Sequence, residues 1–270
     1  MSKSDPVSSV AALGGRIGPA IERHFDTTFR ALLHGPGTTI DPNFIRLLTN
    51  EPHPFGNLAV VAERNDPDVT RQAIEPLCAA GCPAAVAFPG TPVSPAVESL
   101  LASRGFAPHA AMPAMAVDID RLAPTALPAG YSFVRTSDDA AGAAWTECFA
   151  VGYELPLAVA RYFSPMAAPG HSAPEASVQF FAVLKDHAPV ATSMVYLADG
   201  LAGVYCVATV PEERGKGIGA HVTAQALRAV QQLGYRVGVL QSSEMGESVY
   251  RRIGFETFGG VPLYVLLPSG

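Results

Sequence analysis

The sequence predicts an α/β (α+β) chain built as two successive units, residues 1–125 and 126–270, and three observations carry that expectation. Segments with strand-like and helix-like apolar period alternate along the 270 residues. A Pro- and Ala-rich stretch, DRLAPTALPAG at residues 120–130, interrupts the pattern near its middle and reads as a linker. The two halves also echo each other. Gly105-Phe106 and Gly254-Phe255 each follow a helical segment, and Pro113 and Pro262 each stand eight residues after their glycine. Upstream, Gly81 before residues 84–86 matches Gly234 before residues 237–239.

Residues 1–20 read as a loose leader. A helical stretch is expected over 20–33 and a second, short one over 42–48. A strand follows over 57–63, then a helix over 69–80 with Ile74 and Leu77 on one face. Residues 84–88 read as a short buried strand and 97–104 as a helix stopped by Gly105, a residue suited to a left-handed cap. A strand over 112–119 ends the first unit. The second opens with a strand over 131–135 and a helix over 138–151, with Ser137 or Asp138 available as N-cap. Residues 179–184 and 190–197 suggest a hairpin. A long strand over 201–210 precedes a strong helix over 217–233, closed by Gly234. A strand over 237–240, a short helix over 248–252 and a strand over 262–267 complete the chain.

Composition limits the function classes. Hydrophobic residues make up 49% and charged residues 16%, a globular balance and not a disordered one. The net charge is -6 and no basic stripe is present, so no nucleic-acid partner is expected. No run reaches the roughly 18 apolar residues of a membrane span, and the N-terminus lacks the pattern of a signal peptide. A cytoplasmic protein without a membrane partner, monomeric or homodimeric, is therefore expected. Cys78 and Cys82 lack a nearby His, and Cys148 and Cys206 stand alone, so the four cysteines read as reduced thiols and no metal site is expected.

The chemistry is concentrated in VATVPEERGKGIGAHV, residues 207–222, where a β-rich segment meets a glycine run and then a helix. The first turn of a helix carries N–H groups without intrahelical partners, and the helix dipole adds positive potential there. Glycines at 215, 217 and 219 let an anion approach the backbone, and Arg214 and Lys216 add charge. A phosphate-binding P-loop requires Ser or Thr after its Lys, which Lys216 lacks. A dinucleotide fingerprint requires GxGxxG after the first strand of its unit, whereas these glycines alternate and lie late in the chain. A plain glycine-rich turn capping a helix is the remaining structural reading.

The run resembles the acetyl-CoA motif of the GNAT superfamily of N-acetyltransferases. Arg214, Gly217 and Gly219 fill the defining positions, and Pro211 stands three residues before the Arg. Tyr250, four residues before Gly254-Phe255, continues the resemblance, which covers about the second half of the chain. It departs from the family at Ser243, where many members carry Asn.

The resemblance implies two GNAT-like domains, each a twisted mixed, mainly antiparallel sheet flanked by helices. It implies an acetyl-CoA-dependent acyltransferase acting on a primary amine of a small molecule or a peptide. Val207, Ala208 and Thr209 would pair through their backbone with the pantetheine arm. Gly215, Lys216, Gly217, Ile218, Gly219 and Ala220, led by Arg214, would hold the pyrophosphate, and Ser243 and Ser248 would add cofactor contacts. Arg251 would either meet the adenosine 3′-phosphate or lie on a solvated helix face. Tyr250 would be the general acid for the departing thiolate and Glu154 a base, a water chain being the other route.

Tyr153, Tyr162 and Tyr196 read as acceptor-pocket or core aromatics, and His221 as a partly exposed helical residue. Cys206 lacks the neighbouring His that a covalent route needs. The first unit has no Arg-x-x-Gly-x-Gly and has Leu101 in the place of Tyr250, so it reads as a degenerate copy that walls the acceptor cleft or packs against it. The other functional classes are a non-catalytic acyl-CoA sensor and a tandem-domain transferase with a different acyl donor.

Overall fold

The computed structural model describes residues 6–168 and 170–267. Of the predicted leader, only residues 1–5 lie outside the description. The remainder is ordered, because Val10–Leu13 (α1) is helical and Ile17–Leu32 (α2) begins within the expected loose stretch. Ile17, Ile21, Phe25, Phe29 and Leu32 recur every three or four residues and are all buried, which gives α2 one continuous apolar face.

The strands of the first half are Thr38–Ile40 (β1), Phe44–Leu48 (β2), Asn57–Val61 (β3), Ala84–Ala87 (β4) and Ala107–Asp118 (β5), with helices Pro67–Ala80 (α3) and Pro95–Ser103 (α4) between them. The short helix expected over 42–48 is instead the strand β2. Phe44, Ile45 and Leu47 are buried and pair in register with β3, so tertiary pairing overrides the local apolar spacing.

The second half contributes Tyr131–Arg135 (β6), Asp139–Tyr153 (α5), Leu157–Ala160 (α6), Val178–Lys185 (β7), Ala188–Ala198 (β8) and Leu201–Thr209 (β9). It continues with Ile218–Gln231 (α7), Val237–Gln241 (β10), Glu244–Arg252 (α8) and Glu256–Leu266 (β11). Asp138 is the N-cap of α5, its carboxylate accepting from the Ala141 N–H at 2.8 Å. The helix α8 starts four residues before the expected position because the Ser243 hydroxyl caps it, accepting from the Gly246 N–H at 3.2 Å.

All these strands join one mixed 11-stranded sheet in the order β1-β2-β3-β4-β11-β5-β10-β9-β8-β7-β6. Two described pairs are parallel, β3 with β4 and β9 with β10, and the others are antiparallel. The last strand of each half crosses into the other: β11 pairs with β4, β5 pairs with β10, and the two pair with each other at the centre. The exchange repeats in detail. The Phe88 N–H donates to the Pro262 carbonyl at 3.0 Å and the Ser242 N–H to the Pro113 carbonyl at 2.9 Å. After α4 the Phe106 N–H donates to Leu101, and after α8 the Phe255 N–H donates to Tyr250, each across a glycine of positive φ. One large core joins both halves, bringing Phe25, Phe29, Ile45, Val60, Trp145, Phe149 and Phe180 together.

Candidate active site

The site begins where two parallel strands separate. β9 is registered with β10 only at Ala202 and Gly203, yet it continues to Thr209 in register with β8. Its last residues, including Val207, Ala208 and Thr209, therefore leave one backbone edge unpaired on the β10 side. In the first half β3 and β4 stay registered from Leu58 to Val60, one residue short of the end of β3, and no comparable gap opens.

A bulge redirects β9 at the same place. Its register against β8 shifts between Thr192 and Met194, and Cys206 takes φ +52°. The Thr192 hydroxyl holds the distortion by donating to the Cys206 carbonyl at 2.9 Å. Immediately before it, Tyr205 is anchored by α2 of the first half. Its hydroxyl lies 2.9 Å from His24 Nδ1 and receives the Thr28 hydroxyl at 3.1 Å. Gly203 is required beneath them, because a Cβ there would meet His24 Cε1 at 2.2 Å. His24 is fully buried, and burial lowers its pKa to about 4, so the imidazole is neutral and can accept from Tyr205.

The glycine loop closes the mouth of the gap. Gly215 and Gly217 have φ of +79° and +77°, and a Cβ on either would meet nothing within 4 Å, so the loop is open above its backbone. The first N–H to bond back within α7 is that of His221, donating to the Gly217 carbonyl at 3.1 Å, which leaves the N–H groups of Ile218, Gly219 and Ala220 for other partners. Gly219 lies beside Thr209, its ideal Cβ position being 3.6 Å from the Thr209 hydroxyl. The two cations of the motif are engaged elsewhere. Arg214 donates to the carbonyls of Thr209 at 3.1 Å and Gly152 at 2.9 Å, strapping the end of β9 to the end of α5. Lys216 and Lys185 each lie 2.7 Å from the Glu213 carboxylate. Lys185 first, then Lys216 and the Tyr131 hydroxyl, hold that carboxyl down to about 2.

Tyr250 stands on α8, beside α7. Burial pushes its phenol up to about 12, opposed by the Thr223 hydroxyl on α7. Its ring rests against Phe255 with centroids 5.8 Å apart, and a Cβ on Gly246 would lie 3.0 Å from its edge. Opposite, Tyr153 at the end of α5 is 39% exposed, yet burial, then Cys206 and Tyr250, raise its pKa. Burial raises the Cys206 thiol too, so the thiolate that a covalent route would need is disfavoured. Burial keeps Tyr153, Tyr205, Cys206 and Tyr250 in their neutral forms.

The other sequence-predicted residues fall at the rim or outside it. Glu154 is exposed at the C-cap of α5 with φ +57°, two residues after Gly152. Ser243 caps α8, Ser248 is exposed on it, and Arg251 is paired with Glu247 at 2.6 Å and with the Thr257 hydroxyl at 2.9 Å. Tyr196 is a core residue against His24, and the Tyr162 hydroxyl donates to Pro36 of the first half at 2.8 Å. His221 is buried and not partly exposed, lying edge-on to Phe133 where burial lowers its pKa. Sequence reasoning missed the first half's contributions, His24, Thr28 and Phe55. No motif marks them, and only the approach of α2 and the 54–56 turn brings them to Tyr205 on β9 and Tyr153 on α5. Among the described residues no group of three or more His, Cys, Asp or Glu side chains could hold a metal, and no helix is long and apolar enough to cross a membrane.

Comparison with known proteins agrees with this geometry. Residues 200–258, from β9 through α8 into β11, match the family model described as an acetyltransferase (GNAT) domain. No curated protein matches the chain. Among solved structures, a GCN5-related N-acetyltransferase from Kribbella flavida is 23% identical with a TM-score of 0.64, covering 96% of each chain. One from Sphaerobacter thermophilus is 14% identical with a TM-score of 0.60, covering 98% of this chain and 94% of its own. A tandem GNAT protein from the clavulanic acid biosynthesis pathway is 16% identical with a TM-score of 0.54, covering 98% of both. At these identities the likeness is one of fold, and it extends through both halves.

Proposed function

We propose that this protein transfers the acetyl group of acetyl-CoA to a primary amine by direct attack on the thioester, a reading supported by the match of residues 200–258 to the GNAT acetyltransferase family model. The observation that carries the reading is the free edge of β9 beyond Gly203, which ends at the open glycine loop and the first turn of α7. Such an edge can take an extended amide-bearing chain as an added strand, and the loop with the helix N-terminus suits a pyrophosphate. The fit of the residues to acetyl-CoA is therefore good. The backbone of Val207, Ala208 and Thr209 would pair with the pantetheine arm. The backbone from Gly215 to Ala220 would hold the phosphates. Arg214 would act by bracing the loop, and Lys216 by adding field while remaining bound to Glu213. Ser243 and Ser248 are assigned weaker contacts at the α8 side. Acetyl-CoA, when bound, supplies an activated acyl carbon.

The chain's own groups then divide the work. The backbone N–H groups following the Cys206 bulge stabilise negative charge as it develops on the thioester oxygen. Tyr250 remains protonated at neutral pH and donates to the leaving sulfur. A phenol near 12 is a weaker acid than a thiol near 8.5, so Tyr250 donates a hydrogen bond to the leaving thiolate, and solvent restores any proton it passes to the sulfur, while the attacking amine gives up a proton of its own. Glu154 at the rim, or water entering past it, takes that proton. The low polarity of the cleft favours the neutral, nucleophilic amine over its ammonium form.

We also read residues 1–125 as a degenerate copy of residues 126–270. The repeated strand exchange and the matching caps at Leu101 and Tyr250 support this, and Leu101, fully buried, offers no proton. Thiol release from acetyl-CoA in the presence of an amine panel tests the transferase reading. Amine-dependent release is expected, and failure to bind acetyl-CoA at all would overturn it.

A further inference from the structure

An aromatic wall beside Cys206, whose thiol lies 3.7 Å from the Phe163 carbonyl, is built by both halves. Phe55, in the 54–56 turn of the first half, packs on Phe163 with centroids 4.9 Å apart and on Tyr153 at 6.2 Å. Tyr153 in turn lies 4.9 Å from Phe149. The turn that carries Phe55 is fixed from three sides. His53 caps it, Nδ1 accepting from the Phe55 N–H at 3.1 Å, and the neighbouring Asn57 amide donates to the carbonyls of Glu51 at 2.7 Å and Pro83 at 2.9 Å. A Cβ on Gly56 would strike the Thr49 hydroxyl at 2.6 Å and Val159 at 2.7 Å, so the turn is pressed against α6 of the second half.

This wall continues outward as apolar surface. Val151 is 53% exposed, Leu157 40% and Met166 59%, all on the segments that follow or flank Tyr153. Exposed apolar side chains on successive segments suit a binding surface, and Tyr153, two residues after Val151 on α5, is itself 39% exposed. Glu154, the neighbouring carboxylate in the chain, is exposed at the rim. A polycation would need carboxylates to replace its hydration, and Phe55, Phe149, Tyr153 and Phe163 carry none.

Resting on the transferase reading above, we infer that the acceptor is an amine carried on an aromatic or bulky apolar body. Phe55 of the first half and Tyr153 of the second are its specificity-determining residues. The body stacks in the angle between the two rings, and the amine points past Cys206 toward Tyr250. The first half then acts as a wall that sets which amine is accepted.

The test uses the full chain with saturating acetyl-CoA and three amines: 2-phenylethylamine, ethylamine and 1,4-diaminobutane. Burial of a ring against a preformed apolar wall predicts kcat/KM for 2-phenylethylamine roughly 10- to 100-fold above ethylamine, with the diamine no better than ethylamine. Phe55→Ala and the milder Phe55→Leu should erode that preference in that order, with KM for acetyl-CoA unchanged in both. Equal rates with ethylamine, or a preference for the diamine, would overturn the aromatic pocket and leave acetyl transfer standing. An undiminished preference in a folded Phe55→Leu would overturn the role of Phe55. Thiol release with none of the three would overturn the pocket, and absence of acetyl-CoA binding would overturn the transferase reading beneath it.

Discussion

At the scale of single residues, burial fixes the protonation of the groups that matter most. Tyr250 is held protonated by its surroundings. Tyr250→Phe should therefore lower kcat by roughly 10²- to 10⁴-fold, the usual share of a general acid, with acetyl-CoA affinity and thermal stability unchanged. The wild-type kcat–pH profile should show no falling alkaline limb from this group up to about pH 10. A drop in acetyl-CoA affinity as large as the drop in kcat would reassign Tyr250 to binding.

His24 makes the second residue-scale prediction. Its folded pKa, about 4, lies below the ordinary value of 6.5. Between those pH values the unfolded chain takes up a proton that the folded chain refuses, so stability falls as pH drops through that window. The loss is about 3 kcal/mol when complete. Urea unfolding at a series of pH values should show this slope, made shallower by His24→Gln; an equal slope in the variant would remove His24 from the explanation.

Among elements, β9 is the decisive one, and it was only partly legible in the sequence. Its existence and the helix after it follow from apolar period and from the glycines at 215, 217 and 219. The bulge at Cys206 and the separation from β10 do not, because both arise from register against neighbours that lie elsewhere in the chain. Gly203 shows the dependence. Nothing local distinguishes it, yet His24 and Tyr205 fill the space over its Cα. Gly203→Ala should cost about 1–3 kcal/mol by overpacking and lower kcat with it, since the displaced Tyr205 adjoins the bulge. Unchanged unfolding by urea would contradict the packing described. The helix expected over 42–48 failed for the same reason: Phe44, Ile45 and Leu47 carry enough apolar surface for either structure, and pairing with β3 decided it.

Over the whole molecule, the echo between the halves was visible as Gly-Phe and Pro at matched spacings, but its consequence was not. Pro113 and Pro262 each accept a hydrogen bond from the opposite half because β5 and β11 exchange places. The halves therefore share a sheet and a core, and the full chain should unfold in one transition by both tryptophan fluorescence and far-UV circular dichroism. Residues 126–270 alone lack β5 beside β10 and should not fold cooperatively. A fragment that folds and turns over acetyl-CoA would show that the exchange is dispensable. The contact of Phe55 with Tyr153 is illegible for a related reason, since the two rings meet only through this assembly.

On the proposed reading, the free edge of β9 and the glycine loop bind acetyl-CoA for transfer. This binding is tested most directly by titrating acetyl-CoA into the full chain and into Gly217→Val, whose side chain would strain a loop position at φ +77°. Saturable binding to the wild-type chain, with amine-dependent thiol release, is expected, and binding weakened at least tenfold in the folded variant. Absence of binding to the wild-type chain, or equal binding by the two, would contradict it.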